Sequence, residues 1–142
     1  MKPSSTKNRH NEANPIQVAA AITMLDDLTL VARKRLCSRD EQGGRWEFPG
    51  GKCLQGESLE DCLKRELMEE LEMRVEVKKP ATTIDLLEKG RHFKIHFFWA
   101  ETLQNPQRLN DHDRILWATW SVIQDLTLSK ADRKAVERLS SC

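Results

Sequence analysis

The sequence predicts an α/β domain: a mixed β-sheet sandwiched between α-helices. Two observations carry this. Short runs with strand-like composition recur along the chain, broken by two segments of helical periodicity. The length, 142 residues, suits one domain with a sizeable core.

The elements follow in order. Met1 to Asn14 is polar, has no apolar stretch of the kind a secretory signal needs, and reads as a flexible tail (1–14) ahead of a single domain (15–142). Ile16 to Leu25 reads as a strand with Ala19, Ala20 and Ala21 at its centre. Asp26-Asp27 turns the chain, and Leu28 to Arg35 returns as a second strand. Cys37 to Gly44 is a polar loop. Trp46 to Phe48 is a short strand that Pro49 ends, and Gly50 and Gly51 leave the backbone open to close approach. Ser58 to Leu71 is a helix, with Ser58 as N-cap and Asp61 three residues on. Arg74 to Val77 is a short strand. Thr82 to Leu87 and His92 to Glu101 form a hairpin around Lys89-Gly90, Ile115 to Trp120 is another strand, and Ala131 to Leu139 is a final helix.

Composition narrows the partners. A net charge of +1 argues against a strong nucleic-acid or membrane preference, and no apolar run approaches the ~18 residues of a membrane span. A small-molecule partner is expected. The four cysteines, Cys37, Cys53, Cys62 and Cys142, contain no C-x-x-C pair. That argues against zinc and for free thiols in a reducing cytoplasm. Trp46, Trp99, Trp117 and Trp120 read as core or surface anchors, and His112 reads as structural.

The chemistry concentrates in Gly51 to Met73, GKCLQGESLEDCLKRELMEELEM. At ~100° per helical residue, Glu66, Glu69 and Glu70 share a side with Leu59, Cys62, Leu63 and Met73. An unpaired buried carboxylate costs several kcal/mol, and like charges at i, i+3 and i+4 repel by roughly 0.2–0.5 kcal/mol per exposed pair. A bound hard cation removes both penalties, since oxygen clusters suit Mg²⁺, Mn²⁺ or Ca²⁺. Just before the helix, a phosphate fits against the backbone N–H groups of the Gly50-Gly51 turn, with Lys52 adding positive charge.

This segment resembles the Nudix box, G-x5-E-x7-R-E-U-x-E-E-x-G-U with U bulky and aliphatic. The matches are Gly51, Glu57, Arg65, Glu66, Leu67, Glu69, Glu70 and Met73; Glu72 replaces the family's last glycine. The resemblance extends from about Ile16 to Leu139, and WEFPGGK ahead of the box is similar to the MutT branch. It implies the Nudix fold and a pyrophosphohydrolase using Mg²⁺, with Mn²⁺ as a substitute. Glu69, Glu70 and the Gly50 carbonyl, helped by Glu66 and Asp111, would hold the metal. Glu57 would support the loop or a second ion. Glu66 is the first choice of general base with Asp111 behind it, Asp113 is the fallback for Asp111, and Arg65 would orient a box glutamate. Asp111 is equally readable as a solvated loop charge.

The same resemblance gives a substrate side. Asp132, otherwise a dipole-complementing residue at the start of the final helix, would hydrogen-bond the base edge; as an ionised carboxylate it would accept only, selecting a base with N–H donors. Arg91 matches an arginine near the base and reads equally as a surface arginine of the hairpin, and Phe48, Ile16 and Val18 match apolar base-pocket positions that also suit ordinary core. Lys34, Glu47, Gly51 and Lys52 complete the substrate-facing set. The chain has no Tyr, and Asp85 to Lys89 holds no Pro, features that mark the diadenosine-polyphosphate and ADP-ribose branches. What remains is cleavage of a nucleoside triphosphate to monophosphate and pyrophosphate. The substrate is either 8-oxo-dGTP, in nucleotide-pool sanitising that protects DNA, or a cytidine nucleotide. Alternatives are removal of pyrophosphate from RNA 5′ ends and a catalytically silent nucleotide-binding module. No membrane or stable nucleic-acid partner is expected, and the state is monomer or homodimer. Glu72, at a helix end that favours glycine, should adopt the left-handed conformation at a cost of roughly 1–2 kcal/mol.

Overall fold

The structure is a computed structural model that describes residues 14–36 and 43–141; Cys37, Cys142, most of the 37–44 loop and nearly all of the expected tail lie outside the described residues. The strands are β1 (Ile16–Leu25), β2 (Leu28–Lys34), β3 (Trp46–Glu47), β4 (Gly50–Lys52), β5 (Arg74–Glu88), β6 (Arg91–Gln104) and β7 (His112–Ala118). The helices are α1 (Leu59–Leu71), α2 (Trp120–Asp125) and α3 (Lys130–Ser140). One mixed seven-stranded sheet runs β3-β2-β1-β6-β5, with β4 also on β1 and β7 also on β2. Only β1 and β6 pair in parallel; the other named pairs are antiparallel.

Strand β1 divides the core. Ala19 and Ala21 face Cys62, Leu63, Leu67 and Leu71 of α1. Ala20 and Ile22 face the opposite layer, with Phe48, Ile84, Phe97, Ile123, Ala135 and Val136. The period-two alternation thus gives one strand two buried faces, as a sheet between helices requires. Small residues on β1 let both layers approach closely. A Cβ on Gly50 would strike the Ala19 carbonyl and the Ala20 Cα, so β4 pairs at that point only as glycine.

Three expectations are corrected. Arg74–Val77 and Thr82–Leu87 are one strand, β5, continuous through Pro80. It is the edge strand, where proline is tolerated, and register shifts around Pro80 absorb the missing donor. The strand expected over Ile115–Trp120 instead spans His112–Ala118, and Trp120–Asp125 turns into a short helix. Cys53 and Cys62 are not free thiols: they are bonded, with Cα atoms 5.2 Å apart. Cys53 leaves β4 while Cys62 lies in the first turn of α1, so the fold closes a nine-residue separation that no short motif announces.

Helix α1 starts and ends as its sequence implies. The Ser58 hydroxyl accepts the Asp61 N–H at 3.0 Å. Glu72 closes the helix in the left-handed region, φ 48° and ψ 52°, with its N–H on the Met68 carbonyl.

Candidate active site

Arg65 organises the carboxylate face of α1. Its guanidinium donates to both Glu57 oxygens at 2.7 and 3.0 Å, to Glu66 at 3.0 Å, to Glu69 at 3.1 Å and to the Lys52 carbonyl at 3.1 Å. These bonds push its pKa well up, the pairing with Glu57 contributing most. Glu57 also accepts the Leu54 N–H at 2.9 Å, so it ties the β4–α1 loop to the helix. Both its oxygens are engaged by Arg65, and its pKa falls chiefly for that reason. A Cβ on Gly51 would strike the Glu66 carboxyl, so glycine there lets β4 lie directly on the acidic helix face.

Glu70 is the acid at the centre. Its Oε1 is buried without a hydrogen-bond partner. Its pKa is pushed up to about 9, first by burial, then by the charges of Glu66 and Glu47, with Asp111 adding to them. Asp111 is delivered by the adjoining Asn110, whose N–H meets the Glu70 carbonyl at 3.0 Å and whose side-chain amide meets the Glu69 carbonyl. Asp113 is turned away into a bidentate pair with Arg33 at 2.9 and 3.2 Å. Glu69 lies at the rim, its side chain 59% exposed.

Among the described residues no three acids converge into a finished metal cage. The donor set nevertheless fits a divalent cation. Glu66, Glu70 and Asp111 supply oxygens of the kind hard cations take, and the orphaned Glu70 oxygen lacks the partner a cation would provide.

Two adjoining cavities meet over this face. One, about 500 Å³, is polar and is lined by Glu70, Asp111, His112, Lys34, Arg35 and Lys52, among others. The second, about 300 Å³, is mainly apolar, with Phe48, Leu86, Phe93 and Ile95 in its lining beside Asp132. Val18, Lys34, Glu47 and Gly50 belong to both. Lys52 stands 5.9 Å above the Phe93 ring. Phe48 is fixed edge-on to Phe97 and stacked on Trp120 at centroid distances of 6.0 and 6.3 Å.

Asp132 reaches the apolar cavity because residues 127–129 are fastened to β3. Trp46 N–H donates to the Thr127 carbonyl and Ser129 N–H to the Trp46 carbonyl, both at 2.9 Å. The Asp132 carboxyl, in a residue 6% exposed, then accepts the Phe48 N–H at 3.0 Å. Burial, followed by the charge of Glu47, raises its pKa well above the carboxylate range, which favours the neutral acid. That direction runs against an acceptor-only carboxylate, since the protonated form donates as well as accepts.

Two expected base-pocket residues stand elsewhere. Arg91 is exposed at the hairpin end opposite Glu88 and does not line the cavity; Glu88 does, held by Lys130 at 2.8 Å. Ile16 lines a separate groove with Cys53 and Leu54. Sequence reasoning missed Leu86, Phe93 and Ile95. Their alternation on the hairpin, with Leu86 opposite Phe93 and Ile84 opposite Ile95, was a readable signal of one apolar face. It read His112 as structural, and no local pattern marks the partner that residue holds.

A NUDIX domain model matches residues 15–139. The chain belongs to the Nudix family. This Nudix domain is 29% identical over 122 residues to the CTP pyrophosphohydrolase of Escherichia coli, covering 86% of this chain and 89% of that one. It is 32% identical over 126 residues to a Mycobacterium tuberculosis protein with the provisional name 8-oxo-dGTP diphosphatase 2, covering 84% of each. The solution structure of the Escherichia coli ORF135 protein superposes with a TM-score of 0.74 at 28% identity over 90% of both chains. The mixed sheet between helices is the Nudix fold, and the chain is a Nudix hydrolase of MutT type.

Proposed function

We propose that this Nudix hydrolase cleaves nucleoside triphosphates to the monophosphate and pyrophosphate in the presence of Mg²⁺ or Mn²⁺. The observation that carries the reading is the junction of an apolar cavity holding Asp132 with a polar one holding Glu70, Asp111 and three cationic side chains. A base fits the first, stacked among Phe48, Phe93 and Leu86. Phosphates fit the second, along Gly50–Lys52 and beneath Lys34 and Lys52. The sugar spans the walls the two share.

Glu66, Glu70 and Asp111, with Glu69 at the rim, would hold the cation. When bound, it supplies charge neutralisation at the phosphates and lowers the pKa of a coordinated water. Arg65 holds Glu66 by the 3.0 Å bond, which orients that carboxylate to take the proton of the attacking water. Asp111 stands second for that role. Glu57 acts through Arg65 and the loop.

Asp132 reads the base edge. A neutral acid, already accepting from Phe48 N–H, pairs best with an edge that places a donor beside an acceptor. Cytosine offers its amino group beside N3, and 8-oxoguanine offers N7–H beside O6. Guanine (N1–H beside O6) and adenine (N6–H beside N1) offer the same pattern on their Watson–Crick edges, so Asp132 reads an edge and does not by itself choose one base. Among the bases that could meet it, the names of the two relatives favour cytidine triphosphates and 8-oxo-dGTP. The protein would act in the cytoplasm, where such nucleotides are held, and no described helix is long and apolar enough to cross a membrane.

The test is a panel of ribo- and deoxyribonucleoside triphosphates with the purified protein and Mg²⁺, scoring pyrophosphate and monophosphate separately. Preferential turnover of a cytidine triphosphate or 8-oxo-dGTP with pyrophosphate release is expected. No turnover of any triphosphate, or release of orthophosphate alone, overturns the reading.

A further inference from the structure

Glu47 holds an unusual place. It lines both cavities, and its charge is felt by Glu70 on the metal side and by Asp132 on the base side. A long acidic side chain at such a junction has several rotamers open to it unless something pins it. The group that pins it is His112, 65 residues away in sequence. His112 Nε2 lies 2.8 Å from Glu47 Oε2, and the imidazole is 1% exposed at the start of β7. Its Nδ1 is buried with no hydrogen-bond partner. Against a carboxylate acceptor, Nε2 is the ring atom that carries the shared proton.

The backbone around His112 is also fastened. His112 pairs with Lys34 where the β2–β7 register shifts, and Asp111, beside it, accepts the Arg35 N–H at 3.4 Å. An imidazole that served only to fill space here would leave polar atoms buried for no gain, since an apolar side chain of similar volume packs without that cost.

We infer that His112 is a positioning residue for the nucleoside: its Nε2–H fixes the Glu47 carboxylate at the junction of the two cavities, in the rotamer that faces the bound nucleotide. The inference rests on the nucleotide-hydrolase reading above. It assigns His112 to the substrate side of the site and not to the chemistry of the phosphates.

A double-mutant cycle tests it, with KM, kcat, melting temperature and the Kd of the product monophosphate measured for each variant. His112→Leu should raise KM and the monophosphate Kd about tenfold, with kcat reduced less than threefold. His112→Gln, whose amide nitrogen replaces Nε2 as donor, should restore both to within threefold of the parent. In a Glu47→Ala background, His112→Leu should change neither constant by more than twofold, because its partner is already gone. If the leucine variant does not fold, His112→Asn, polar but too short to reach Glu47, takes its place in the cycle. Equal losses with and without Glu47 would overturn the inference, as would a fall in kcat at constant Kd, which would place His112 behind Asp111 instead. A parent protein that turns over and binds no nucleotide would overturn the functional reading and this inference with it; an active parent with an additive cycle overturns this inference alone.

Discussion

Glu70→Gln separates the electrostatics of the site from its chemistry. The Glu70 carboxyl, ordinarily near 4.5, is pushed up to about 9 by burial and by Glu66 and Glu47. Between those values the folded protein holds a proton that the unfolded chain has released, so stability falls as pH rises through the window. At about 1.4 kcal/mol per pH unit, the penalty by pH 7 is at most about 3.5 kcal/mol. Glutamine keeps the shape and the hydrogen-bonding capacity and removes the titration. Without metal, the variant should therefore be more stable at pH 7 by roughly 2–3 kcal/mol, or about 6–12 °C in melting temperature. Its stability between pH 5 and 9 should be flatter than the parent's. The parent should gain stability from Mg²⁺ by mass action, about 2.7 kcal/mol at a hundredfold excess over Kd. The variant should gain little, and its turnover should fall at least a hundredfold. Thermal denaturation with chelator and with Mg²⁺, across that pH range, measures both. Near-normal Mg²⁺-dependent turnover in Glu70→Gln would refute the metal assignment, and an unchanged metal-free melting temperature would refute the electrostatic reasoning.

Other predictions concern the helix end, the base edge and the disulfide. Glu72→Gly relieves a left-handed non-glycine residue at the loss of an exposed 3.7 Å pair with Arg108, so stability should rise by up to about 1 kcal/mol with turnover within a few-fold; a large fall in turnover would draw Glu72 into the site. Asp132→Ala should cost the preferred triphosphate roughly 1–3 kcal/mol in kcat/KM and narrow the gap to the poorest one; equal losses for cytidine, guanosine and 8-oxoguanosine triphosphates would leave Asp132 a helix-start residue only. Opening the Cys53–Cys62 bond with reductant, or by Cys53→Ser, should lower stability by roughly 2–3 kcal/mol, the loop-closure value for a ring of about ten residues; thiol titration of the denatured, unreduced protein checks that the bond is closed.

How much was legible depended on the range of the interaction. Helix α1 could be read with its Ser58 cap and its left-handed Glu72, because capping and periodicity act within four residues. The Glu66–Glu70 face was legible for the same reason, as was the hairpin at Lys89-Gly90, where both residues take positive φ. The first two strands and the final helix announced themselves by composition. What local pattern could not reach were effects between distant segments. Arg74–Val77 and Thr82–Leu87 read as two strands until Pro80 is placed on an edge strand that runs through it. Cys53 and Cys62 read as free thiols until β4 is laid beside α1. Arg91 and Ile16 match pocket positions by order along the chain, yet the hairpin and β1 carry them away from the apolar cavity. Asp132 reads as an ionised carboxylate until residues 127–129 fasten it against Phe48 and burial raises its pKa. The sequence by itself determined the family, the helix and the acids it carries, since each depends on neighbours a few residues away. Only the tertiary structure decided which of those acids are buried, which residues share a cavity and what His112 holds, because burial and pairing across 65 or 84 residues exist only once the sheet is assembled.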